Sequence, residues 1–311
     1  MKQNCRSGCR LHLVLIAGAF FLGSCSSLPR GDLSINTTKN EAADYLTLAD
    51  NFLSQGDFNS ALFFYNEALI TNLSVDHQEG AIVARSSLGK VYLRLQSWDD
   101  AQRELEDALF DARMLKNPRL LALTLNNLGE YYFERENYPL AQSSLFESLT
   151  FSEDDEKIRA VILHNLGVDS LRTQAFDEAR DYFEKARYLN ERGKRWGEYG
   201  SNSYMLANLA FKEGQLQTAI EFALQALEAD KKAENRQGIG DDLLALGQLY
   251  RRAEDLPVSY DYFRRAFHAG VQINSVQLTL NALNQLVELS ELLGYTELKT
   301  RYEDLRSRLN P

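Results

Sequence analysis

The stretch NNLGEYYFERENYPLAQSSLFESL, residues 126–149, decides the fold. Altered copies of its core begin at Leu48, Leu88, Leu166, Leu206 and Leu246, beside the one at Leu128. The second residue of each copy is small: Ala49, Gly89, Gly129, Gly167, Ala207 and Gly247, at successive spacings of 40, 40, 38, 40 and 40. Within each copy apolar residues fall at i, i+3, i+4 and i+7, the period of an amphipathic helix, and no segment shows the alternation of a strand. A fixed period of this length predicts a stack of like units rather than one globular core.

Two further positions repeat in phase with the first. Twelve residues on stand Ala61, Ala101, Ala141, Ala179, Ala219 and Ser259, and seven beyond those Ala68, Ala108, Ser148, Ala186, Ala226 and Ala266. Three small residues at fixed places with large ones between them resemble the tetratricopeptide repeat, two antiparallel helices per unit. Phe52, Tyr92 and Tyr132 fill the large positions of first helices, and Tyr65, Leu105 and Phe183 those of second helices. A glycine inside a helix costs about 1 kcal/mol against alanine, so four in one phase predict a close approach of paired helices. Pro139 and Pro257 fall where second helices should begin, a place that tolerates a missing N–H.

The resemblance implies an all-α, right-handed α-solenoid of antiparallel helix pairs, with a period near 40 in place of the family's usual 34. Its length is similar to that of repeats in kinesin light chains and bacterial response-regulator-binding proteins. Six units are expected over residues 41–278. Residues 279–311 read as a degenerate repeat that caps the stack: Val287 keeps the phase, but Lys299 and Arg306 occupy places that should be small. A single unit of about 40 residues would have to offset roughly 60 kcal/mol of conformational entropy alone, so the units need each other.

The N-terminal segment has a different character. Residues 1–10 are polar and basic, and Leu11 to Leu22 form an apolar run, LHLVLIAGAFFL. Twelve residues are too few to span a bilayer, which takes about 20, but suit the core of a signal peptide. LGSC, residues 22–25, resembles the bacterial lipobox, which implies cleavage after Ser24 and lipidation of Cys25. Residues 1–24 are thus expected to be a signal peptide, Cys25 a lipid tether, and 25–40 a flexible polar linker. Ser26 after the cysteine resembles the default sorting to the outer membrane, on its periplasmic side. More than one acyl chain is needed for durable anchoring.

Composition narrows the function. The 311 residues carry a net charge of −10, and loss of Lys2, Arg6 and Arg10 with a signal peptide takes it to −13, which disfavours nucleic acid as a partner. All three cysteines precede residue 26, so the repeats hold neither disulfide, thiolate metal site nor cysteine nucleophile. His77, His164 and His268 are scattered over different units, and GIGDDL at 238 lacks the third glycine of a dinucleotide-binding loop and any preceding strand. The acidic run Glu153, Asp154, Asp155, Glu156 reads as a helix start. A non-enzymatic protein with no cofactor and no metal is expected.

In tetratricopeptide solenoids the first helices line the concave side, and ligands touch their fifth and ninth positions. The resemblance therefore implies Lys90, Asn126, Glu130, His164, Tyr204, Asn208 and Gln248 as a hydrogen-bonding groove for a protein or peptide partner. The joint ERGKRWGEYG, with Arg195, Trp196 and Tyr199, is a second candidate surface, although Trp196 suits packing between repeats. The expected function is an envelope-anchored adaptor in assembly or secretion. The alternative is a solenoid that encloses a small hydrophobic ligand beside a transporter.

Overall fold

A computed structural model of the chain describes residues 30–309. Fourteen helices follow one another, and no strand occurs among the described residues. They are α1 (Arg30–Ser54), α2 (Phe58–Ser74), α3 (Gln78–Arg94), α4 (Trp98–Leu115), α5 (Pro118–Glu134), α6 (Tyr138–Thr150) and α7 (Glu156–Arg172). The second half comprises α8 (Phe176–Arg192), α9 (Trp196–Lys212), α10 (Leu216–Lys232), α11 (Arg236–Arg252), α12 (Leu256–Gln272), α13 (Val276–Leu292) and α14 (Thr296–Leu309).

The 40-residue period has a local origin. Most helices have 17 residues, about 25 Å of rise, and most turns have three, so each helix and turn together take 20. Lys116, first of the two residues between α4 and α5, adopts a left-handed conformation, and so does the middle residue of the three-residue turns, as at Asp76, Gln96, Glu136, Gln174, Lys194, Glu234, Glu254 and Asn274, with glycine at 56, 214 and 294. The amide after it donates back five residues, for instance Ser97 to the Tyr92 carbonyl and Asn235 to that of Asp230, each at 2.9 Å. This bond closes the helix C-terminus and reverses the chain. The next helix often opens on a capping side chain: Asp57 accepts from the Ser60 amide, Asn137 from Leu140 and Asp255 from Val258. Pro139 and Pro257 lie in the first turns of α6 and α12, as their missing N–H predicts. The single spacing of 38 falls at α6, which has only 13 residues.

Small residues set the distance between paired helices. A Cβ on Gly89, Gly129, Gly167 or Gly247 would stand 2.5 to 2.8 Å from the side chain of Leu105, Leu145, Phe183 or Phe263 on the following helix. Where the phase carries alanine the opposing residue is different: Ala207 faces the α10 segment around Ala223, and Ala49 shares a core with Tyr65. The two serines that replace alanine are satisfied, with Ser148 donating to the Ala122 carbonyl and Ser259 to that of Gly247.

Each helix packs on its sequence neighbours. Odd helices also pack on odd ones, α1 on α3, α3 on α5, α5 on α7, α9 on α11 and α11 on α13, whereas even helices make no comparable contact with each other. The odd helices are therefore crowded together and form the inner, concave layer, while the even helices fan outward. The core runs as successive clusters along the axis, each shared by adjacent units. It ends at α14, whose one buried residue, Tyr302, shares a hydrogen bond with Tyr260 at 3.0 Å.

One expectation needs correction. Residues 30–40, read as part of a flexible linker, belong to α1, where Thr38 donates to the Ser34 carbonyl at 2.9 Å in helical register. After Pro29 this stretch has no further proline, and its one glycine, Gly31, lies within the first turn, so nothing stops the helix of the first unit from growing back.

Candidate partner-binding groove

The inner face is built from odd helices held in register by polar side chains one period apart. Ser86 and Thr124 hydroxyls meet at 3.0 Å between α3 and α5, and Asn127 donates to the Ser86 carbonyl at 3.3 Å. Asn165 on α7 donates to Asn126 on α5 at 2.9 Å, and His164 Nδ1 lies 3.0 Å from Asn202 Oδ1 on α9. These partners are 38 to 41 residues apart, one repeat each. Buried polar groups that satisfy one another fix which rung meets which, a register that apolar packing alone leaves looser.

The expected groove residues divide in two. Lys90, Glu130, His164, Tyr204 and Asn208 are half-buried on the inner face, and Gln248 is exposed there. Glu130 accepts from Arg94 at 2.6 Å, a residue outside the expected set. Asn126 departs from expectation: it is 4% exposed, and its amide is spent on Asn165 and Asn127. It is part of the ladder between α5 and α7, not of the lining. Its position was inferred from the average repeat, but the close approach of α5 to α7 covers it.

His164 shows how the layer treats charge. Burial holds its imidazole below the usual histidine range, opposed by the Asn202 hydrogen bond and by the negative Glu130 across α5 and α7. The inner face thus brings Glu130 and His164 into one electrostatic neighbourhood. The other two histidines of the repeats have local partners: His77 Nδ1 lies 2.7 Å from Asn72 Oδ1, and His268 packs edge-on against Phe267. No group of three histidine, cysteine or acidic side chains able to hold a metal occurs among the described residues. Asp155, from the acidic run, caps α7 by accepting from the Lys157 and Ile158 amides and pairs with Arg119.

Cavities open between successive inner helices. One of about 120 Å³ lies beside Arg94, Glu130 and Asn165, and one of about 100 Å³ beside His164 and Asn202. A larger one, about 360 Å³, opens between α9 and α11 under Tyr204 and Gln248. Its walls include Asp230, Asp241 and Asp242, which the period analysis did not single out. Asp242 is 2% exposed, and its Oδ2 has no hydrogen-bond donor. Burial, and then the neighbouring Asp230 carboxyl, push Asp242 up to about 8, so at neutral pH it holds a proton against Asp230.

In the joint 191–200, Arg195, Trp196 and Tyr199 are half-buried, while Glu191, Arg192, Lys194 and Glu198 are exposed. Arg195 caps the end of α8 through Asn190 Oδ1 at 2.8 Å and the Leu189 carbonyl at 2.6 Å. Trp196 meets Tyr199 edge-on and carries the Lys232 ammonium 4.9 Å above its ring. Both contacts lie within the α9–α10 pair and not between repeats. Cys25 lies outside the described residues.

Comparison with known proteins agrees with this geometry. Residues 158–232, spanning α7 to α10, match the tetratricopeptide repeat family. The chain is 22% identical over 296 residues to the Tonsoku-like protein of Drosophila melanogaster, covering 83% of this chain but only 21% of that protein. It is 27% identical over 218 residues to the type IV pilus assembly protein PilF of Pseudomonas aeruginosa, covering 68% of this chain and 77% of PilF. Among solved structures, the apo form of RapI superposes with a TM-score of 0.70 at 13% identity, covering 89% of this chain and 76% of RapI.

Proposed function

The chain is a tetratricopeptide-repeat solenoid, and from that premise we propose that it is a non-enzymatic, lipid-anchored adaptor of the bacterial envelope. It holds an extended segment or helix of a protein partner in the groove of its odd helices. The observation that carries this reading is the inner face itself, open and lined by Lys90, Glu130, Tyr204, Asn208 and Gln248. Hydrogen-bonding side chains at one-repeat spacing suit a polypeptide backbone with its own repeating donors and acceptors.

The alternative occupant, a small hydrophobic ligand, is disfavoured by the lining. The 360 Å³ cavity holds three carboxyl groups, and an apolar ligand would strip them of water without replacing a hydrogen bond. Sequence similarity to a type IV pilus assembly protein supports assembly of an envelope structure as the setting. The LGSC sequence at residues 22–25 supports a lipid tether on Cys25, in the outer membrane facing the periplasm.

Two experiments test the two halves. Metabolic labelling with an alkyne fatty acid should mark the wild type and leave Cys25→Ala unlabelled, and equal labelling of both overturns the anchor. Site-directed photocrosslinking from the inner face tests the groove.

A further inference from the structure

The 360 Å³ cavity between α9 and α11 is the feature least explained by packing. Asp230, Asp241 and Asp242 all line it, no lysine or arginine does, and none of the three forms an ion pair among the described residues. Half-buried acids elsewhere do pair, as with Glu104 to Arg85 and Glu213 to Arg180, while the buried Asp169 stands alone and lines none of the cavities described above. Asp242 occupies the position five residues before the small residue of its unit, where the first unit carries an exposed Asp44 and the others Ala84, Thr124, Ile162, Asn202 and Ala282, so the buried carboxyl is peculiar to this unit. Packing and register explain those residues; they do not explain a carboxyl.

The cavity is also kept open. A Cβ on Gly238 would stand 1.9 Å from Asp230 Oδ2, and one on Gly200 2.8 Å from Asp230 Oδ1, so both glycines make room for that carboxylate. Asn235 Nδ2 holds Asp230 Oδ1 at 3.1 Å from one side. Asp242 lines the same cavity, and its Oδ2 is buried and without a donor. Two fixed carboxyls side by side, one lacking a donor, are an acceptor set without its cation.

From this geometry we infer that the cavity receives an arginine side chain of the polypeptide held in the groove, its guanidinium bridging Asp230 and Asp242. The guanidinium is planar, carries five donors in a fixed fork and is weakly hydrated, which suits a recessed pair of carboxyls better than a compact ammonium does. Tyr204 and Gln248 stand at the mouth, in continuity with the groove, so the backbone of the partner would pass over them. The guanidinium charge also offsets the repulsion from Asp230, which adds to burial in keeping Asp242 protonated. The inference rests on the adaptor reading and names the side chain that reading leaves open.

Calorimetric titration of the whole chain with acetyl-Ala-Arg-Ala-amide, its citrulline counterpart and agmatine tests it. Citrulline keeps the shape of arginine and removes the charge. The arginine peptide should bind about tenfold or more tighter than the citrulline peptide. Asp242→Asn and Gly197→Leu should each abolish that preference. Gly197 lines the mouth, and the nearest atom to a Cβ there is the Ala233 Cβ at 3.7 Å, so leucine can fill the opening without disturbing the helix. Unchanged circular dichroism shows that both variants fold. Equal affinity for the two peptides, no saturable binding of the arginine peptide, or wild-type binding by Asp242→Asn each overturns the inference. Agmatine binding more tightly than the peptide overturns the polypeptide source and assigns the cavity to a free guanidine. Groove crosslinking that persists in Asp242→Asn, with arginine preference absent from the wild type, would defeat this inference and leave the adaptor reading standing.

Discussion

The Cβ that Gly167 lacks would lie 2.6 Å from Cε1 of Phe183, a ring with no exposed surface. The small residue of α7 and the large one of α8 are therefore one packing unit, and the same relationship joins Gly89 to Leu105 and Gly247 to Phe263. Gly167→Ala should lower stability by about 1–3 kcal/mol through overpacking, despite the better helix propensity of alanine. In urea unfolding, Gly167→Ala combined with Phe183→Ala should cost less than the sum of the two single changes, because the second removes what the first strikes.

The left-handed turn residues make an opposite prediction. Lys116 and Glu234 sit at φ 52° and 54°, where a side chain costs roughly 1 kcal/mol, while Gly214 holds the equivalent place at φ 77°. Lys116→Gly and Glu234→Gly should each raise stability by about 1 kcal/mol, and Gly214→Ala should lower it by a similar amount. Nothing lies within 4 Å of a Cβ at Gly214, so the effect would come from the backbone alone. Thermal unfolding of the three variants checks the sign at each.

Asp169 is a weak point. It is 2% exposed, its Oδ1 has no partner, and burial raises its carboxyl above the usual range. Equivalent positions in the following units carry Leu209, Leu249 and Leu289, all buried. Asp169→Leu should stabilise the chain by about 1–3 kcal/mol by removing an unsatisfied polar group from the core. Hydrogen exchange should show slower opening of α7 and α8 in that variant.

Acid and base should act on different units. Asp242, pushed up to about 8 by burial and by Asp230 and Asp241, keeps a proton that the unfolded chain releases near pH 4. Stability contributed there falls as pH rises from about 4 to about 8, and Asp242→Asn should gain on the wild type across that window. His164 has the reverse sign. Burial lowers it, so the unfolded chain takes up a proton first and stability falls as pH drops below about 6.5. His164→Asn should flatten the acid side of a thermal-midpoint profile and leave the alkaline side unchanged.

The period was legible because packing enforces it. In the first phase of the repeat glycine stands where a large side chain faces it, and Pro139 and Pro257 stand where helices start, so Gly89, Gly129, Gly247, Pro139 and Pro257 carry the architecture in the sequence itself. The groove was legible only in part, since residue position in an average repeat says nothing about how closely two neighbours approach. That closeness buries Asn126 and turns it into a rung. The acidic cavity was missed because GIGDDL was compared with phosphate loops. A signal was present: from the second unit onward Asp242 is the one acidic residue at a phase that carries Ala84, Thr124, Ile162, Asn202 and Ala282. The helical start of α1 was hidden by the polar, weakly patterned stretch before Glu41, which reads as linker.

The most direct test of the account is photocrosslinking in intact cells, with the reactive residue placed at Asn208 or Gln248 on the odd helices. Phe110 and Met114, 65% and 69% exposed on α4, serve as outer-face controls. The account predicts adducts of polypeptide mass from Asn208 and Gln248 and none from Phe110 or Met114. Adducts from the outer positions alone, or no polypeptide adduct from the inner ones, would contradict it.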